Sequence, residues 1–140
     1  MRVINYFSEQ PQEREVITVG NRASVYVREH IEQHEIDGDE PRTEWSAVEY
    51  SATVNAKGFV LTDDFVERLI ASEYEKAAKE VRAKRNALLD ESDKEMTVDR
   101  IEQESAEYVA AWKAYRQALR DIPEQEGFPF DVVYPTKPKK

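Results

Sequence analysis

The chain of 140 residues reads as an α+β protein. An N-terminal antiparallel β meander of three to four strands is followed by a long antiparallel α-helical hairpin and an extended C-terminal tail. Three observations lead to this reading. Up to Val54, β-branched and aromatic residues alternate with polar ones at period two. From Asp63 onward the apolar spacing changes to alternating fours and threes. After Pro123 an aromatic segment punctuated by Pro129 and Pro135 follows, which cannot continue as helix. The expected division is residues 1–61 for the β meander, 62–122 for the helical hairpin, and 123–140 for a tail docked on that hairpin.

The strands are justified in turn. Val3 to Phe7 is a short β-rich run, and the polar Ser8–Glu15 with Pro11 reads as loop. Val16 to Val19 is apolar or β-branched at each position. Gly20-Asn21 then supplies the positive-φ residues that a tight hairpin needs. Ser24 to Ile36 continues as strand, with Val25, Val27 and Ile31 expected on one face. Asp37-Gly38 marks a second turn, widened by Asp39, Glu40 and Pro41. In Glu44–Val54, Val48, Tyr50, Ala52 and Val54 share one face, and Glu49, Ser51 and Thr53 the other. The sheet should therefore have one dry face and one wet or partly covered face.

Lys57-Gly58 ends the strand pattern, and Thr62-Asp63-Asp64 starts a helix with a Thr cap and two acids near the positive end of the helix dipole. This helix is expected to run to about Asp90. Phe65, Val66, Leu69 and Ile70 would cover the dry sheet face. Beyond them the apolar seam narrows to Tyr74, Ala77, Val81 and Leu88. A second helix, from about Val98 to Asp121, carries Ile101, Ser105, Tyr108, Trp112, Tyr115 and Leu119 on the same spacing. The short link Glu91–Met96 makes the two helices antiparallel neighbours. Two narrow seams of this kind pair within one chain or between two copies, so the pattern leaves a homo-oligomer open.

Composition narrows the function classes. The net charge is −9, which disfavours a phosphate-backbone partner, so no nucleic acid is expected. The basic run Lys137, Lys139 and Lys140 reads as a solvated end. Cysteine is absent, and with it any disulfide framework or thiolate chemistry. No apolar run approaches the roughly 20 residues of a membrane span, and the N-terminus turns polar too early for a signal peptide. No membrane partner is expected, and a soluble cytoplasmic protein is the default.

No catalytic, cofactor-binding or metal-binding residues emerge. His30 and His34 form HIEQH, which places Ile31 where the zinc-helix motif needs its glutamate. On a regular strand the two rings would share a face but sit about 13 Å apart, too far for one ion. Asp37-Gly38-Asp39-Glu40 lacks the spaced oxygen ligands of a calcium loop. Asp63-Asp64 is explained by helix capping. The four glycines are isolated, so no phosphate cradle exists, and no nucleophile sits in a supporting motif. What remains is an aromatic set, Trp112, Tyr115, Phe128, Phe130 and Tyr134. It reads as core sealed by the tail, as a partner-binding patch, or as a base-stacking platform, which the net charge disfavours; core is the favoured reading.

The run W112-K-A-Y-R-Q-A-L-R-D-I-P, followed by G-F-P-F-D-V-V-Y-P, resembles the C-terminal region of small bacteriophage tail proteins described as tail assembly chaperone-like or tail fibre assembly-like. Trp112, Tyr115, Arg116, Leu119 and Pro123 match the helical part of the motif. Phe128, Pro129, Val133 and Pro135 match the tail, with Tyr134 where Trp is common. Ala83 to Asp93 is similar to the family as well, and the likeness is most specific over residues 82–138. Val25–Ile31 together with Glu44–Tyr50 is similar to an N-terminal hairpin of tail proteins from prophages of Gram-positive bacteria. Two departures fall near the helix link: Lys94 follows Asp93 where the family often has an aromatic residue, and Val98 to Tyr108 lengthens the second helix. The resemblance implies a non-enzymatic protein, without cofactor, that aids tail or tail fibre assembly in the host cytoplasm by binding another phage tail or tail fibre protein. A structural component of the virion tail is the alternative, and an acidic regulatory or anti-host module is a more distant one.

Overall fold

The computed structural model describes residues 1–139, so Lys140, the last residue of the expected basic end and tail, lies outside the described residues. The fold is α+β. The chain forms two compact units, Met1–Glu73 and Tyr74–Lys140. The first holds a four-stranded antiparallel sheet made of β1 (Arg2–Phe7), β2 (Arg14–Val19), β3 (Arg22–Ile36) and β4 (Arg42–Asn55). Helix α1 (Asp63–Ser92) follows, with its first turns in this unit and the rest in the second.

The spatial order is β1-β4-β3-β2, which corrects the expected meander. β2, β3 and β4 are joined as successive hairpins, but β1 crosses over to pair with β4. This is the order of a Greek key. The polar segment 8–13 makes the crossing, and it lies over the sheet face that Glu49 and Arg28 occupy. Arg28 shows why. Its guanidinium donates to Glu49 at 2.7 Å and to the Gln12 carbonyl at 3.1 Å, and it pairs with Glu15 at 2.9 Å. Its backbone N–H donates to the Glu13 carbonyl. Burial works to lower the Arg28 pKa, and Glu49 and Glu15 outweigh it, so the group sits above its ordinary value. A buried charge requires such partners, and here the crossing segment supplies part of them.

The opposite face is dry, as the alternation predicts. Val25, Val27 and Tyr50 pack with Val66 of α1, ringed by Val48, Val54, Phe59, Leu61, Phe65, Leu69 and Ile70. Thr62 Oγ1 accepts from the Phe65 N–H at 3.2 Å, and Asp63 and Asp64 occupy the first turn of α1. In the β2–β3 turn only Gly20 has positive φ, +61°; Asn21 does not, so one left-handed residue rather than two makes the hairpin. Period two also fails once. The β3–β4 register gains one residue on β3 between Glu29 and Glu32, where His30 has φ of 51°. This bulge takes Ile31 out of the row begun by Val25 and Val27, and it breaks the parity that would have put His30 and His34 on one face.

In the second unit the single long second helix expected from Val98 to Asp121 is instead two. A 3₁₀ turn (Asp93–Met96) leads to the short α2 (Val98–Gln103), and α3 (Ala106–Arg120) follows. The break falls at Glu104-Ser105, where the backbone is extended. Ser105 is not a seam residue but the N-cap of α3, its hydroxyl accepting from the Tyr108 N–H at 3.2 Å. Intrahelical spacing alone cannot distinguish a seam serine from a capping one.

Candidate functional site: the aromatic unit of the C-terminal motif

The residues of the C-terminal motif converge in one place. Trp112, Tyr115 and Leu119 lie on one face of α3, three and four apart, and are buried together with Ile122. Val81, Leu88 and Leu89 of α1 pack against them, as do Met96, Tyr108, Phe128, Val132 and Tyr134. Neighbouring rings meet edge to face: Tyr108 with Trp112 at 6.2 Å, and Trp112 with Tyr115 at 5.6 Å. Leu119 and Ile122 are fully enclosed, each at 0% exposure. Pro123 follows within a 3₁₀ turn (Ile122–Glu124), which ends the helical run where its ring excludes further α-helix.

Arg116 projects from the same helix with a different task. Its guanidinium donates to the Leu89 carbonyl at 3.1 Å, to Ser92 Oγ, and to Asp93 at 2.6 Å. Helix α1 has no basic residue in its own last turn. Arg116 therefore supplies the positive charge and the donors that the carbonyl end of α1 lacks. Ser92 is buried and donates to the Leu89 carbonyl at 2.6 Å, which closes the network. The two family-like stretches, Ala83–Asp93 and the Trp112 motif, are thus linked through one guanidinium.

The tail has a fixed path. Gly127 begins a tight turn in which the Asp131 N–H donates to the Gly127 carbonyl at 2.7 Å. A Cβ on Gly127 would stand 2.0 Å from the Asp131 carbonyl oxygen, so the turn excludes every other residue. The Phe128–Pro129 peptide is cis, and Pro129 is buried. Gln125 clamps the returning strand: its Nε2 donates to the Val133 carbonyl and its Oε1 accepts from the Val133 N–H, both at 2.8 Å. Tyr134 lies under Lys84, whose Nζ is 4.0 Å from the ring centroid, and Arg82 stacks over Phe128 at 5.4 Å. Lys137 pairs with Glu91 and lies over Trp112. The Lys137 hydrogen bond holds the Glu91 carboxyl below its usual range, and that same bond raises the Lys137 ammonium. Burial pushes the Tyr134 hydroxyl up.

Not every motif residue turns inward. Val133 is 73% exposed and Phe130 37%, whereas Val132 is the valine that packs into the cluster. Phe130 and Phe128 both meet Tyr74 edge to face, at 6.0 and 6.3 Å. Pro135 is half-buried. Sequence reasoning missed Ile122, Gln125, Ser92 and Val132. Ile122 and Val132 are apolar residues in non-helical segments, where no periodicity marks them, and Gln125 and Ser92 act through bonds to backbone that composition does not reveal. The two histidines are not brought together: His34 Nε2 is 2.7 Å from Ser46 Oγ, and His30 is exposed in the bulge. Among the described residues no group of three or more His, Asp or Glu is placed to hold a metal ion, and no helix is long and apolar enough to cross a membrane.

Compared with known proteins, the chain matches no curated protein and no solved structure. Residues 78–139 do match a family model, described as phage tail assembly chaperone protein, and the β-sheet lies outside the match. The matched range takes in Val81, the Arg116 network, the aromatic cluster and the tail, so it is over this segment that the chain is similar to the phage tail assembly chaperone family.

Proposed function

We propose that the protein aids assembly of a phage tail or tail fibre by binding another tail protein in the host cytoplasm, without catalysing a reaction. One observation carries this reading: the family match spans the interlocked unit of α1, α3 and tail, so the part of the chain that resembles the chaperones is also a self-contained packing unit. The motif residues divide between two roles. Trp112, Tyr115, Leu119, Pro123, Phe128, Pro129 and Tyr134 build the unit, with Arg116 binding the end of α1. Phe130 and Val133, with Tyr74, are exposed apolar residues on it that suit contact with a partner. The reading of the aromatic set as core and its reading as interface thus apply to different members of it.

The test has two arms. The tagged protein is co-expressed with the tail proteins of its phage, and particles purified from the same phage are analysed by mass spectrometry. A transient assembly factor co-purifies with a tail protein and is depleted from finished particles. Stoichiometric presence in the particles makes it a structural tail component instead, and failure to associate with any tail protein removes the assembly reading.

A further inference from the structure

The β3–β4 hairpin continues beyond its neighbours. β1 ends where Phe7 pairs with Trp45, and β2 begins where Arg14 pairs with Val27. Among the described residues, β3 from Glu29 to Ile36 is paired with β4 alone and has no strand on its outer side. That edge presents unpaired backbone donors and acceptors to any strand that enters the lane β2 leaves at Arg14. The bulge near His30 disturbs the start of the lane. It leaves Glu32–Ile36 as a regular stretch, the length of an ordinary short strand.

Charge decides which strand fits. Residues 29–44 hold seven carboxylates and one guanidinium, a net −6 of the chain's −9. Most of these side chains are exposed, and among the described residues none of the seven carboxylates makes an ion pair. A second copy of this edge would set Glu32 and Glu35 against like charges, which opposes pairing. An edge bulge and edge charge are the usual means of preventing self-association, and the same charge attracts a strand bearing Lys or Arg. We propose that the outer edge of β3 at Glu32–Ile36 is a docking site for a basic, extended segment of a partner protein, which adds to the sheet as a strand. The proposal rests on the partner-binding reading above only for the origin of that segment.

A labelled peptide of alternating Lys and Val residues serves as the probe, with fluorescence anisotropy at low salt as the readout. It is compared with a peptide of the same sequence methylated at alternate backbone nitrogens, which keeps the charge and removes strand hydrogen bonds. The protein is the full chain, as wild type and as the Glu32→Lys/Glu35→Lys variant, whose fold is checked by circular dichroism. The unmodified peptide is expected to bind the wild type, to weaken at least about tenfold against the variant, and to lose binding on methylation. Equal binding of the methylated peptide, indifference to charge reversal, or no binding at all overturns the proposal. The probe contains no tail protein, so such a failure leaves the assembly reading to its own test.

Discussion

Two positions show how single residues hold the family-like unit together. Arg116 meets three acceptors at once, on Leu89, Ser92 and Asp93, all through its Nη1. Arg116→Met should destabilise the protein by about 1–3 kcal/mol, because the carbonyl end of α1 and the buried Ser92 lose their donor. Arg116→Lys keeps a charged donor but on a shorter side chain that ends nearer α3 than Nη1 does, so it should recover only part of that loss. Urea unfolding measures both, and faster amide exchange around Leu89 would locate the defect. Gly127 is constrained sterically rather than by its dihedral angles. Gly127→Ala drives a Cβ into the Asp131 carbonyl, so the turn must open at a cost of about 1–3 kcal/mol, readable as a lower melting temperature. The sequence showed that a glycine stood in an aromatic, proline-bounded segment. It did not show that the glycine is needed, because the clash depends on where Asp131 returns.

Elements were legible where periodicity is long and uninterrupted. The alternation of β4 and the first turns of α1 appear as read, and they join in the dry core of Val25, Val27, Tyr50 and Val66. Three features were not legible, each for a physical reason. The β1–β4 pairing is a long-range choice that no local pattern encodes. The β3 bulge comes from one extra residue, and a period-two count cannot tell an interrupted row from a continuous one. The break before α3 rests on Ser105 capping Tyr108, while its spacing fits the seam equally well. The C-terminal tail carries a pH dependence of its own. Glu91 is held below its usual range, so its contribution is present above the unfolded carboxylate pKa and is lost as the pH falls through the lowered folded value. Lys137 and Tyr134 are both raised, so their contributions are complete below their unfolded values and are lost as the pH rises through the folded ones. Tail docking should therefore be strongest across the neutral range and loosen at both extremes. Trp112 fluorescence in a Trp45→Phe background, with Lys137→Ala as the comparison, follows this: the variant should lose most of the acid-side change, and an unchanged acid limb would contradict the assignment.

The chain as a whole combines two units of different standing. Residues 78–139 carry the family match, the interlocked aromatic core and the clamped tail, whereas the four-stranded sheet lies outside the match and its β3–β4 ribbon holds a net −6 of the chain's −9. The polar network at Arg28 joins Glu49, Glu15 and the Gln12 carbonyl, and the aromatic cluster is filled by the chain's own tail. The candidate site was legible as a motif through Trp112, Tyr115 and Leu119, but the division into buried and exposed members was not, since Val132 and Val133 differ only in which side of an irregular segment they occupy. The proposed role in tail assembly is tested most directly by a count of tailed particles by electron microscopy after deletion of the gene from its phage. Tailed particles should fall sharply, with heads still formed, and the protein supplied in trans should restore them. A normal yield of complete, infective tails without the protein would contradict it.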